Sequence, residues 1–171
     1  MKILHSTVSV VLLKPFNERK VDTGAERSKS FLFTPVYEEW QRQAAAEVGI
    51  PVEKWHSARQ NADKLSQPRT VVDIVGDGNC LFRALSFCVS KVQHHHKQVR
   101  HELISYTGSK LQANLTSYLQ QNAYEYINES GMQDDDTWST DAEILSAAAY
   151  LSTDIYIFSS VGPSDESDRV A

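Results

Sequence analysis

The chain has only two cysteines among its 171 residues, Cys80 and Cys88. That excludes a scaffold held together by disulfides. Positive charge is also short: 17 Lys and Arg stand against 22 Asp and Glu, for a formal net charge of −5. A nucleic-acid binder that works by neutralising phosphates needs the opposite balance, so no nucleic-acid partner is expected. No window approaches the roughly 18 consecutive apolar residues of a membrane span, so no membrane partner is expected either. The amino-terminal "MKILHSTVSVVLL" fits a signal peptide poorly. It has one lysine, an apolar run broken by His5, Ser6, Thr7 and Ser9, and no small-residue cleavage site before Lys14. No internal repeat is found, and no histidine follows His101.

The two cysteines are eight positions apart. On one helix their backbones would lie about 12 Å apart, whereas a disulfide needs about 4.4–6.8 Å between Cα atoms. They therefore cannot pair if that segment is helical, and a reducing, intracellular, cytoplasmic setting is expected. The glycosylation sequons at Asn114 and Asn128 would then go unused.

What is present suits a soluble globular fold: 41% of residues are hydrophobic and 23% charged. The length allows one domain with an extension or tail. Residues 1–33 read as an apolar start followed by a polar, charged stretch from Asn17 to Ser30. Thr34 and Pro35 look like an N-cap and first helical residue. The helix would run through "VYEEWQRQAAAEV" and stop at Gly49, with Pro51 beyond. Residues 52–69 read as a linker or loop, and the β-branched residues 70–75 as a strand.

Leu81, Ala84, Leu85 and Cys88 share one face of a helix over 80–90. "KQVRHELISYTG" puts Val99, Leu103 and Tyr106 on a face and is expected to end on Gly108. "KLQANLTSYL" repeats the pattern with Leu111, Leu115, Tyr118 and Leu119. Thr140 and Glu143 form a capping box for the next helix, and 154–159 alternates as a strand. The expected organisation is an extension over 1–69, helical over about 35–48, an α+β domain over 70–160, and an acidic disordered tail over 161–171.

The chemistry centres on "TVVDIVGDGNCLFRAL". Gly76 and Gly78 supply the first two glycines of a dinucleotide fingerprint. The third position is Leu81, however, and the region where a ribose-binding acid belongs reads "HHHKQVRHE". The competing reading is a nucleophile. Cys80 falls at the first turn of a helix, where unpaired N–H groups and the positive end of the dipole favour a thiolate. Gly76 and Gly78 permit positive φ and a close approach of backbone to a substrate. The N–H groups of Gly78, Asn79 and Cys80 can face an oxyanion formed when the sulfur attacks a carbonyl. The alternative is a small buried hydrophobe. It suffices for Cys88, and for Cys80 the turn alone leaves both readings open. The run His94, His95, His96 has no cysteine or acidic cluster at ligand spacing and reads as a solvated helix start, so no metal and no cofactor are expected.

"GDGNCLFRALS" resembles the nucleophile motif of the ovarian tumour (OTU) family of cysteine proteases, which are mostly deubiquitinases. "VRHELISY" is similar to the helix that follows in that family. "YINESGMQDDDTWSTDAEILSAAAYLSTDIYIFS" resembles its second block, the following helix and the next strand. The resemblance spans about residues 70–160. It implies an OTU-like fold, a small central sheet flanked by helices, with the carboxy-terminal part missing. It implies Cys80 as nucleophile and Asp77 as the associated active-site aspartate, with Gly78, Asn79 and Cys80 forming the oxyanion hole. The partner implied is ubiquitin or a ubiquitin-like protein, including polyubiquitin chains. Trp138, Asp141 and Glu143 match the second block, where Trp138 is expected to pack and Glu143 to close the capping box.

The family's pattern also needs a histidine base on a strand near the end of the fold. All six histidines here (His5, His56, His94, His95, His96 and His101) lie upstream of that place. A truncated chain is the simplest expectation. Two functions follow: a thiol-dependent deubiquitinase cleaving isopeptide bonds, weakly active or inactive as this chain alone, or a catalytically dead ubiquitin-binding or scaffold module.

Overall fold

A computed structural model describes residues 8–15, 32–57, 63–64, 72–110 and 118–159. In chain order the elements are β1 (Val8–Pro15), β2 (Leu32–Phe33), α1 (Glu38–Val48), β3 (Asp63–Lys64), α2 (Cys80–Ser90), α3 (His96–Lys110), α4 (Ala123–Ser130), α5 (Asp141–Tyr150) and β4 (Thr153–Ser159). The class is mixed and helix-rich. Among the described residues the strands form two separate antiparallel pairs, β1 with β4 and β2 with β3. The first runs from Val8 opposite Ser159 to Pro15 opposite Thr153, with one irregularity between Ser9 and Val11.

The centre is α2. Its first turns bury Cys80, Leu81, Phe82, Ala84 and Leu85, with Phe82 and Leu85 almost fully removed from solvent. Replacing Leu85 by Ala at such a site typically removes about 2–5 kcal/mol. α3 lays Val99 and Leu103 on α2, and α1 adds Trp40, Ala44, Ala45 and Val48 to the same core. The Trp40 indole N–H donates to the carbonyl of Leu151 at 3.1 Å, tying α1 to the end of α5. A division at residue 70 thus runs through one hydrophobic core.

Several local expectations are met and several need correction. α1 ends at Gly49, whose φ of +73° suits glycine and whose N–H donates to Ala45. Its first residue is Glu38, however, with Tyr37 in the N-cap position and no side-chain cap, so Thr34 and Pro35 lie outside the helix. The capping box of Thr140 and Glu143 is formed, and the Tyr126 hydroxyl also donates to the Glu143 carboxylate. α3 does not stop at Gly108 but continues to Lys110. Gly108 makes room there instead: a Cβ would sit 3.1 Å from the Tyr124 ring.

Residues 72–75 belong to no strand. The Gln93 side chain stands in for a neighbouring strand, donating to Asp73 O at 2.7 Å and accepting from Val75 N–H at 3.1 Å. Trp138 does not pack; it is 58% exposed. Residues 17–30, the helix expected around Leu111 and Leu115, and the tail over 161–171 lie outside the described residues.

Candidate active site

The turn Gly76–Cys80 is knotted by its own polar groups. The Asp77 carboxylate accepts from the Asn79 N–H at 2.9 Å, and the Asp77 carbonyl accepts from the Cys80 N–H at 3.1 Å. Arg83, one turn into α2, grips the same carboxylate through Nε and Nη2, the latter at 2.6 Å. This fork holds the Asp77 carboxyl at about 2. Asp77 is therefore a permanent anion at neutral pH and cannot shuttle protons. The other end of the guanidinium meets His96 Nδ1 at 3.2 Å. Burial and the Arg83 charge lower the His96 pKa, which favours the neutral ring. His96 is mostly buried, unlike the solvated position expected for it.

A second knot ties the turn to residues 131–137. Asn79 Nδ2 donates to Asp136 Oδ1 at 2.7 Å, and Asp136 N–H returns a bond to Asn79 Oδ1. Behind both lies Arg100 of α3, only 2% exposed. Its guanidinium donates to Gly78 O, Asn79 Oδ1, Thr137 O and Met132 O at 2.8–3.1 Å. It also stacks 4.0 Å from the Phe82 ring centre. Arg100 entered the sequence reading only as a letter of the α3 motif. Its spacing from Leu103 and Thr107, both buried on the same helix, was the available signal.

The glycines need a different explanation from the one expected. Neither Gly76 nor Gly78 has a positive φ. A Cβ on Gly78 would lie 1.6 Å from Asp136 O, so glycine is needed there for the approach of this chain's own loop. A Cβ on Gly76 would meet nothing within 4 Å.

Cys80 opens α2 as expected. The backbone amides at the start of α2 and the charge of Arg100 favour the thiolate. Burial outweighs them, Asp77 adds repulsion, and the net thiol pKa is raised. The side chain is buried, with 7% of the residue exposed. Among the described residues no histidine hydrogen-bonds the sulfur: His56 meets the Cys88 carbonyl, and His96 meets Arg83 and Gln93. Of the three amides expected to form an oxyanion hole, those of Asn79 and Cys80 already donate within the turn.

Neither cysteine is in a disulfide. Burial pushes the Cys88 thiol to about 11, so it is a neutral thiol at physiological pH. A pocket beside α3, 260 Å³ in volume, is lined by Lys97, His101 and Asp135 among others and not by Cys80. Away from the turn, Glu53 comes beside His94 and His95, supplying the acid that local spacing did not show. No described helix is long and apolar enough to cross a membrane.

Comparison with known proteins places this turn in context. A family model described as OTU-like cysteine protease matches residues 75–170, more than half of the chain, beginning one residue before the glycine turn. No curated protein matches, and no solved structure does. The chain belongs to the OTU-like cysteine protease family.

Proposed function

We propose that the protein is a thiol-dependent deubiquitinase that hydrolyses isopeptide bonds to ubiquitin or a ubiquitin-like protein in the cytoplasm. The observation that carries this reading is Cys80 at the first residue of α2, directly after the glycine turn and inside the family's matched region. In the proposed chemistry Cys80 attacks the carbonyl carbon of the scissile bond. The electron pair moves to the carbonyl oxygen, which the Gly78, Asn79 and Cys80 N–H groups would hold after the turn relaxes. Collapse expels the lysine amine, which takes from solvent the equivalent of the proton the thiol released, and water then hydrolyses the thioester to free the carboxylate and return the Cys80 thiol. Asp77 acts as a positioning residue: fully ionised, it shapes the turn and anchors Arg83.

The raised thiol pKa and the lack of a histidine bonded to the sulfur favour a second reading, a binding module that keeps the fold without turnover. Ubiquitin carrying a carboxy-terminal electrophile, together with a polyubiquitin cleavage assay, separates the two. The deubiquitinase reading expects labelling lost in Cys80→Ala and slow cleavage that accelerates with pH toward the raised thiol value. Reversible binding with neither labelling nor cleavage would establish the module instead.

A further inference from the structure

We propose that Glu53, His94 and His95 form a binding site for a divalent transition-metal ion of the zinc class, which clamps residues 52–57 to the turn between α2 and α3. One nitrogen from each imidazole and one Glu53 carboxylate oxygen lie within 4.8 Å of one another. Two imidazoles and a carboxylate are a donor set that zinc and its neighbours in the first row accept, with a fourth position left for water.

The spacing itself suits an ion. Among the described residues Glu53 makes no ion pair with either histidine, although its oxygen lies within reach of both. Tetrahedral metal–ligand bonds of about 2.0–2.2 Å hold their ligand atoms roughly 3.3–3.6 Å apart, so these atoms need to close by about 1 Å to share one ion. The remaining closure needs only small rotations of Glu53 and His94, whose side chains are exposed.

The second observation is His95 itself. Its Nε2 is buried and has no hydrogen-bond partner. Native proteins rarely leave such an atom unmatched, and an ion bound through this nitrogen would satisfy it. The ring also stands 4.0 Å from the His94 ring at 54°, close enough for both to serve one ion.

Glu53 is not a loose arm. Its N–H donates to the Ser90 carbonyl at 3.0 Å, and the next residue's carbonyl accepts from Gln41. The backbone that presents the carboxylate is thus fixed to the end of α2. On the other side, Gln93 holds residues 73–75, and His96 touches Arg83, the partner of Asp77. An ion at His94 and His95 would therefore stiffen the turn from which both supports of the nucleophile segment arise.

The test uses the full chain, stripped with a chelator and titrated with zinc chloride by calorimetry. The site predicts one equivalent bound with a dissociation constant in the micromolar range or below. Glu53→Gln and His95→Ala should each weaken binding at least tenfold, and His101→Ala should leave it unchanged. Cobalt(II) should give ligand-field bands without a thiolate charge-transfer band, which separates this site from one built on Cys80 or Cys88. Zinc should raise the melting temperature of the parent chain and not of Glu53→Gln. No saturable binding, binding undiminished in Glu53→Gln, or a thiolate band abolished by Cys80→Ala would each overturn the proposal.

Discussion

The two ends of α2 are anchored by different means. At the carboxy-terminal end each of the last four carbonyls has a donor. Phe87 O accepts from Lys91 N–H, Cys88 O from His56 Nε2, Val89 O from Gln41 Nε2 and Ser90 O from Glu53 N–H. Gln41 is fully buried, and its carboxamide is matched: it donates to Val89 O and Lys54 O and accepts from the His56 N–H. This end is closed by hydrogen bonds, with Lys91 as its C-cap. At the amino-terminal end the anchor is Arg100, a buried cation beside the positive pole of the helix dipole. Its Nε has no partner, and no carboxylate grips it directly; Asp135, Glu143, Asp136 and Asp77 act on it through space. The closed end follows ordinary rules of helix termination, and the end that departs from them is the one that carries Cys80, the proposed nucleophile.

Removing Arg100 should give the largest effect. Arg100→Leu leaves four oxygens of the Gly78, Asn79, Met132 and Thr137 groups short of a donor and should cost about 3–5 kcal/mol. Arg100→Lys should rescue little, since one ammonium cannot reproduce the planar fork. Urea unfolding read as a change in midpoint at constant slope checks both. Gly78→Ala should come next. Its Cβ would overlap the Asp136 backbone, so the 131–137 segment must move, at about 2–4 kcal/mol. The matched Gly76→Ala change should cost less than about 1 kcal/mol, since nothing stands near that Cβ. Equal losses at the two glycines would end the claim that the turn is pinned by its own loop.

The same contrast explains what could be read from sequence. α2 was legible because its apolar spacing, its glycine turn and its length agree locally. The capping box and Gly49 are likewise written within a few residues. The strand expected over 70–75 is not formed at 72–75, because β-branched propensity does not say what the partner is, and here the partner is one glutamine side chain from the next turn. Residues 52–57 read as a loop for want of regular pattern, yet they supply two of the four caps of α2 through contacts far apart in sequence. Cys80 was legible as the first residue of a helix. Its burial was not, because packing by distant segments decides whether helix-end stabilisation or desolvation wins at the sulfur.

At the closed end, Gln41→Leu should cost about 1–3 kcal/mol by leaving two carbonyls and one N–H unmatched. His56 should show the same end as a pH dependence. Burial lowers its pKa, so the unfolded chain takes up a proton first. Stability should fall as pH drops below the ordinary histidine value of 6.5, and His56→Gln should reduce that slope in urea titrations between about pH 7 and 5, leaving the part that His95 and His96 contribute.

A smaller effect than at Gln41 belongs to Asp77, and it lies in a different pH window from that of His56. Arg83 depresses the Asp77 pKa from 3.8 to about 2, so the folded state holds the anion more strongly than the unfolded chain does. The stabilisation is complete above 3.8 and is lost as pH falls toward 2. The ion pair is partly open to solvent, with side-chain exposures of 18% and 28%. Screening therefore leaves it about 1 kcal/mol. Asp77→Asn should be destabilised by that amount at pH 7 and should converge with the parent chain near pH 2. Gln41→Leu removes no ionisable group and should run parallel to the parent through the same interval. If Asp77→Asn also ran parallel, the amino-terminal end of α2 would be held by packing and uncharged hydrogen bonds, and the electrostatic distinction between the two ends would fail.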